Sequence, residues 1–327
     1  MKFWPITNLV FILLVNRDTY YMRKLTLQAL TIFTGMLLLL IVQVQKTWAL
    51  EYGGGIETTR WQVTGSVFSC QFEQELPEYG EGIFYHEAGE DIVFQLKTRK
   101  NLMKPGMASI SITPAPWQPS RSSEHLGYAK LTTENPNLEL DPERSNQFLH
   151  ALLEGKQPVV TRRAYYDDGK FIKVHLSAIH FKEYYLKYLR CVDQLLPMNF
   201  EQVARNRIYF GGGKEELTLN DQALLNDVVF YVKNDPRVFA IYIEGHTDNI
   251  GRRYDNRQLS KRRAESVEKY FIDNGINPEM ITLRFHGQRY PIATNKTAAG
   301  RAENRRVTIR LEQQEDLKIP ANLLFVP

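Results

Sequence analysis

Cysteine is scarce in this 327-residue chain, which contains only Cys70 and Cys191. No second histidine or cysteine follows His246 at the spacing of a zinc site, and no residue stands in the context of an activated nucleophile. The chain also lacks a large excess of charge of either sign, because 41 basic and 37 acidic residues give a net charge of only +4. This small net charge does not indicate nucleic-acid binding. We therefore expect no catalytic residue, no metal, no cofactor and no nucleic-acid partner.

The longest uncharged run of the chain lies near the N-terminus, from Leu25 to Gln45. Basic residues precede it and Thr47-Trp48-Ala49 follows it, which predicts a secretory signal peptide over residues 22–49 and a mature chain that begins at Leu50. An uncleaved membrane helix is the alternative, since about 20 uncharged residues can span a bilayer. Residues 1–21 are expected to be a spurious extension, produced by a start codon assigned too early.

Export would place both cysteines in an oxidising compartment, where disulfides persist. We therefore predict a Cys70–Cys191 disulfide that closes a loop of about 120 residues, with two free buried thiols as the alternative.

Residues 91–98, 107–113 and 170–181 alternate between apolar and polar, which predicts strands. Residues 50–197 are thus expected to form a mainly antiparallel β domain that binds partners.

Prolines at positions 114, 116 and 119 predict an irregular, exposed segment within this domain, because proline cannot donate to a strand ladder. Trp117 lies in that segment. We expect its side chain to fill the core, and a docking role for it is the alternative.

The most informative segment, residues 245–267, reads GHTDNIGRRYDNRQLSKRRAESV. Alternating apolar residues at 240–244 predict a strand, which places Asp248 just beyond a strand end. Helical spacing further on places Arg263 about one to two turns into a helix. A loop carboxylate facing a helix guanidinium matches the zwitterionic end of an amino acid, whereas the alternative is an intradomain salt bridge.

The sequence around this segment predicts a small domain of alternating strands and helices. Strands are expected at residues 207–210, 281–285 and 306–311, and Thr218 is expected to open a helix. Together with the strand and helix around Asp248, these elements predict a β/α/β/α/β/β sandwich, an α+β fold, within residues 198–327.

Several residues of this domain resemble the signature of OmpA-like peptidoglycan-binding domains: Gly245-His246-Thr247-Asp248, Gly251, Asn256, Leu259-Ser260, Arg263-Ala264 and the closing Asn304-Arg305-Arg306-Val307. The resemblance covers roughly residues 200–313. It implies that Asp248 binds the ammonium group and Arg263 the carboxylate of diaminopimelate in the peptidoglycan stem peptide. By the same resemblance, Thr247, Asn256 and Leu259 belong to the peptidoglycan site.

The chain departs from this family at Gly211-Gly212-Gly213-Lys214, where many members carry polar side chains that line the ligand site. We expect a flexible turn, a ligand pocket lined by fewer polar side chains and a lower affinity for peptidoglycan. The segment lacks the Walker pattern of a phosphate loop.

Basic residues are dense beside Arg263: Arg252, Arg253, Arg257, Lys261 and Arg262. They could steer an anionic wall polymer, or they could form an ordinary solvated helix face. In either interpretation Arg263 points away from Arg262, because adjacent helical residues lie about 100° apart.

The order of a signal peptide, a β domain with one widely spaced cysteine pair and an OmpA-like module resembles the MotY family of sodium-driven flagellar motors. The resemblance implies a periplasmic structural protein of the T ring around the basal body, with MotX and the PomA/PomB stator as partners and peptidoglycan as the anchor. The alternative is a general OmpA-family envelope tether unrelated to motility. A stator subunit is disfavoured because the uncharged run from Leu25 to Gln45 contains no acidic residue for an ion channel.

Overall fold

The computed structural model describes residues 49–119, 122–314 and 318–325. The predicted extension and all but the last residue of the predicted signal peptide therefore lie outside the described residues. Within the described ranges, no helix combines the length and the apolar character needed to cross a membrane.

The N-terminal half of the described chain is built from strands and two helices, which are β1 (Ala49–Tyr52), β2 (Trp61–Gly65), β3 (Ser69–Leu76), β4 (Gly80–Glu87), β5 (Val93–Thr98), β6 (Gly106–Thr113), β7 (Glu124–Leu131), β8 (Leu138–Leu140), α1 (Pro142–Leu153), β9 (Gln157–Arg163), β10 (Phe171–His175) and α2 (Phe181–Val192). The C-terminal half alternates helices and strands, which are α3 (Phe200–Val203), β11 (Arg205–Tyr209), α4 (Leu219–Asn234), β12 (Val238–His246), α5 (Arg253–Asp273), β13 (Ile281–Gly287), α6 (Ala298–Asn304) and β14 (Arg306–Gln313), with short 3-10 helices at Pro278–Met280 and Ala321–Leu323.

One sheet organises the N-terminal half, with the strand order β1-β10-β9-β6-β7-β8-β5-β4-β3-β2. All its pairs are antiparallel except β1 with β10, which confirms the predicted mainly antiparallel β domain. In β3 every second residue is buried, so one face of the sheet lies on the core. Trp61, Phe72 and Phe84 pack against one another in that core with ring centroids 4.6–6.5 Å apart.

Both helices of this half are missing from the sequence-based prediction. Asp141 caps α1 by accepting the backbone N–H of Arg144 at 2.9 Å, and Pro142 occupies the first turn. The strand predicted over residues 170–181 is right only as far as His175, and α2 begins at Phe181. Phe181, Tyr188 and Cys191 form the buried stripe of α2, so a helical period was present in the sequence beyond the predicted strand.

The predicted disulfide between Cys70 and Cys191 is present and joins β3 to α2 across 121 positions of sequence. Both cysteines are fully buried. The proline-rich segment before residue 120 is irregular as predicted, but Trp117 is 56% exposed, so the expectation that it fills the core is wrong.

The C-terminal half is a four-stranded sheet in the order β11-β14-β12-β13 with helices against one face, which confirms the predicted β/α/β/α/β/β sandwich. Thr218 opens α4 with a capping box that includes Asp221. Buried residues from α4, α5 and the sheet meet in one core, which includes Leu225, Val267 and Phe271. The other face of the sheet carries polar side chains.

The two halves are joined by side-chain contacts and by the C-terminal segment. Phe68, from the turn after β2, lies in the C-terminal core, and the guanidinium of Arg237 lies 4.3 Å from its ring centroid. Phe325 returns to the N-terminal core and donates its backbone N–H to Gly65 at 2.9 Å. The boundary predicted between residues 197 and 198 stays a prediction.

Replacing both cysteines with alanine should lower the free energy of unfolding of the N-terminal half by about 2–5 kcal/mol, because the disulfide restricts the unfolded chain. Trp61 and Trp117 both belong to that half, and residues 198–327 contain no tryptophan. Urea denaturation of residues 50–327, followed by tryptophan emission, therefore reports the relevant transition. Wild type with reductant is the matched control, and an unchanged midpoint in both samples would contradict the prediction.

Candidate functional site

Three parts of the chain meet beside the C-terminal end of β12: the turn after β11, the loop after β12 and the residue before β14. Gly245 permits this arrangement, because a Cβ there would lie 2.0 Å from the carbonyl oxygen of Ser260. Helix α5 can therefore lie directly against β12. This close approach brings Arg263 next to the loop that carries Asp248.

Asp248 is nearly buried, with 9% of its surface exposed. Its Oδ2 accepts a hydrogen bond from Nη1 of Arg305 at 3.0 Å, and its Oδ1 accepts the backbone N–H of Ile250 at 3.1 Å. The direct ionic partner of Asp248 is thus Arg305. Among the ion pairs of the described residues, the alternative of an Asp248–Arg263 salt bridge is not formed.

Arg263 is fully buried, and its guanidinium donates to three main-chain carbonyls. Nε donates to Lys214 and Nη2 to Gly211, each at 2.8 Å, and Nη1 donates to His246 at 3.2 Å. Burial and the neighbouring charge of Arg305 lower the pKa of Arg263 to about 10, so the group remains a cation at neutral pH.

The turn at Gly211–Lys214 therefore has a defined role. Arg263 binds the carbonyls of Gly211 and Lys214, at the two ends of the turn, while Gly213 adopts a positive φ of 70°. Where the sequence predicts only a flexible turn with few polar side chains, the structure shows main-chain oxygens fixed by a buried cation.

The remaining predicted site residues surround the Asp248 loop. Thr247 donates its hydroxyl to the carbonyl of Asp248 at 2.9 Å, and Asn256 donates its amide to the same carbonyl at 3.3 Å. Asn256 also donates to Oε1 of Gln288 at 2.8 Å. Leu259 is half-buried on α5. Thr247 and Asn256 thus hold the loop, and the assignment of all five residues to peptidoglycan stays a prediction.

The basic residues of α5 and of the position just before it separate into one buried cation and several exposed ones. Arg252 pairs with Asp255 at 2.7 Å, and the exposed side chain of Arg262 pairs with Glu215. Arg263 points into the domain, which confirms that it faces differently from Arg262. Part of the cluster is neutralised locally, as expected for a solvated helix face.

Arg305 is the site residue that sequence reasoning missed. Besides binding Asp248, it donates from Nε to the carbonyl of Phe210 at 2.9 Å. The available indication was its position in the stretch Asn304-Arg305-Arg306-Val307. Sequence alone does not show that the first of the two arginines turns toward the loop after β12.

A second cluster lies on the other face of the sheet, where Glu244, His246 and His286 place potential ligand atoms within 4.8 Å of one another. Two histidines and a carboxylate form a donor set that suits zinc. However, Arg284 already binds Glu244 at 3.3 Å, and burial and Arg306 lower the pKa of His246 to about 3. A divalent cation would meet the same guanidinium repulsion, so the local charge disfavours a metal.

Each half of the chain matches a known protein family. Residues 52–197 match the MotY N-terminal domain, and residues 209–305 match the OmpA family. The chain carries a MotY N-terminal domain followed by an OmpA-family domain. It is 26% identical to the sodium-type flagellar protein MotY of Vibrio parahaemolyticus over 84% of this chain and 95% of that protein.

Other relatives match the OmpA-family domain of this MotY-like chain. Outer membrane protein A of Bordetella avium is 38% identical over 35% of this chain, and the match spans 59% of that protein. The peptidoglycan-associated lipoprotein of Burkholderia pseudomallei has a solved structure that is 28% identical over 32% of this chain and 89% of its own, with a TM-score of 0.31.

Substituting Arg263 with alanine should destabilise the OmpA-family domain by about 3–5 kcal/mol, because three main-chain carbonyls lose their donor and a buried cavity remains. Arg262→Ala, on the adjacent exposed position, should change stability by less than about 0.5 kcal/mol. Urea denaturation followed by far-ultraviolet circular dichroism measures both variants. Equal effects of the two substitutions would show that the bonds of Arg263 contribute little.

His246 should make the domain less stable in acid. Its pKa is about 3 when folded, mainly because of burial, and about 6.5 when unfolded, so only the unfolded chain gains the proton between these values. Stability is therefore lost as pH falls below about 6.5, by about 2 kcal/mol at pH 5. His246→Gln should lose less stability between pH 7.5 and pH 5 than wild type does. Parallel pH profiles for the two proteins would contradict this assignment.

Proposed function

We propose that this protein is a non-enzymatic periplasmic component of a flagellar motor that binds peptidoglycan through its OmpA-family domain. The match of residues 52–197 to the MotY N-terminal domain supports the motor context. The observation that carries the wall-binding role is the nearly buried carboxylate of Asp248 beside the guanidiniums of Arg305 and Arg263.

This arrangement of charges suits the free amino-acid end of a diaminopimelate side chain. Asp248 binds the ammonium group, and a guanidinium binds the carboxylate on the same carbon. Asp248 and Arg305 are held in place by their mutual contact before the ligand arrives, which reduces the entropy lost on binding. Thr247 and Asn256 fix the main chain of the Asp248 loop and so keep its carboxylate in position.

The two arginines differ in how a ligand reaches them. The side chain of Arg305 is 19% exposed and borders Asp248 directly. Arg263 is fully buried, and its Nε and Nη2 are occupied by the carbonyls of Lys214 and Gly211. A ligand carboxylate therefore contacts Arg263 only after the Gly211–Lys214 turn moves, and glycine in that turn lowers the cost of such a movement.

We assign the N-terminal domain to contacts with the T ring of the basal body, with MotX and with the PomA/PomB stator. In this arrangement the wall bears the torque that the stator generates. The alternative is an OmpA-family envelope tether unrelated to motility, and similarity to outer membrane proteins over the C-terminal domain alone is compatible with it.

Asp248→Asn should weaken sedimentation of residues 50–327 with purified peptidoglycan by about 10–100-fold, because the variant loses a charge-assisted contact to the ammonium group. Asp255→Asn is the matched control, since Asp255 is an exposed carboxylate at the start of α5 that pairs only with Arg252 in the described structure. Arg305→Ala should also weaken binding. Equal sedimentation of all four proteins would refute the proposed site.

A strain from which the gene for this protein is deleted distinguishes a flagellar motor component from a general envelope tether. Loss of swimming with intact wall integrity supports a motor component, and rescue by wild type but not by Asp248→Asn links the wall site to that role. A fully motile deletion strain would favour the general tether instead.

A further inference from the structure

The open face of the OmpA-family sheet, opposite its helices, is rich in arginine. Strand alternation places on it Arg205, Arg207 and Tyr209 from β11, Arg306, Thr308, Arg310 and Glu312 from β14, Tyr242, Glu244 and His246 from β12, and Arg284 and His286 from β13. Five guanidiniums thus share a surface with two carboxylates. We call this set of residues the arginine face.

Both carboxylates of the arginine face are already neutralised. Glu244 pairs with Arg284 at 3.3 Å, and Glu312 pairs with Arg310 at 2.6 Å. Among the described residues, Arg205 and Arg207 are exposed and have no ion-pair partner. The arginine face therefore retains a net positive charge with no internal compensation.

Cross-strand register brings some of these positive charges close together. Arg205 lies directly opposite Arg310, and like charges at such a position are unfavourable in an isolated sheet. A cleft of about 650 Å³ opens between these side chains, and its charged lining consists of Arg205, Arg207, Arg310 and Glu244. An anionic group placed in the cleft would remove the repulsion.

A second, independent observation comes from the buried end of the face. Arg306 is 4% exposed, and its Nε and Nη1 have no hydrogen-bond partner, while buried Nδ1 of His246 is also unpartnered. Burial and the nearby charge of Arg207 lower the pKa of Arg306. A carboxylate at this end of the face would supply the acceptors that these donors lack.

We propose that the arginine face is a docking surface for an acidic polypeptide segment of a protein partner. Four strands about 4.8 Å apart give a shallow surface about 15 Å wide, which suits an extended segment better than a small molecule. The charged cations of the face are all arginines, and Tyr209 and Tyr242 lie between them. Arginine and tyrosine are both enriched at protein interfaces. Arginine also recognises carboxylates through a planar fork, which lysine lacks.

The arginine face does not include Asp248, Arg263 or Arg305, so the docking surface is independent of the wall site. A wall polymer or an anionic membrane would be a different occupant, and the experiment distinguishes these from a polypeptide.

The test uses residues 50–327 and a fluorescein-labelled decaglutamate peptide, with binding measured by anisotropy at low ionic strength. The double variant Arg205→Glu/Arg207→Glu should bind the peptide at least about tenfold more weakly than wild type, because it places like charges against the ligand. Lys233→Glu/Lys269→Glu changes the net charge equally on helices behind the sheet and should retain most of the binding. Circular dichroism checks that both variants are folded.

The same proteins are sedimented with purified peptidoglycan and with phosphatidylglycerol vesicles. Unchanged sedimentation of the arginine variant, together with its loss of peptide binding, supports the proposal. The proposal is overturned by absent peptide binding in wild type, by equal losses in both double variants, or by selective loss of peptidoglycan or vesicle binding in the arginine variant.

Discussion

A guanidinium that has lost its water needs other acceptors, and in the C-terminal domain Arg263 finds them in three main-chain carbonyls. This requirement joins the turn after β11 to the end of β12, the two segments that border Asp248. The loop can then present a nearly buried carboxylate without collapsing around it, because Arg305 supplies the compensating charge. Site geometry and domain stability therefore depend on the same buried cation.

The two proposed binding surfaces, the site around Asp248 and the arginine face, lie on different parts of the domain. On the helix side of the sheet, we propose that the carboxylate of Asp248 and a neighbouring guanidinium bind a single zwitterion. On the open face, five guanidiniums are distributed over three of the four strands and only two of them pair with a carboxylate, which suits the proposed longer acidic segment. Alternation along β14 produces both, because Arg305 precedes the strand and turns toward Asp248 while Arg306 points to the opposite face.

Coupling between the two domains is relevant to the proposed wall-anchoring role. Phe68 extends from the N-terminal sheet into the C-terminal core, and Phe325 extends from the C-terminus into the N-terminal core. Each domain thus contributes an aromatic side chain to the other. The disulfide at Cys70 lies in β3, next to the turn that carries Phe68, so the covalent link and the domain contact occupy the same region.

Local sequence determined much of this protein. Apolar alternation predicted half of the described strands, β5, β6 and β10 to β14. Thr218 marked the start of a helix, and the spacing from Asp248 to Arg263 identified the candidate site, since strand and helix periods arise from neighbouring residues. Local pattern was insufficient for residues 176–181, where a buried alternating run ends and a helix begins. Only the tertiary structure decided that Asp248 pairs with Arg305, that Arg263 is buried under main-chain carbonyls and that Arg205 faces Arg310. Those contacts join residues far apart in sequence, and strand register and burial, rather than local propensity, bring them together.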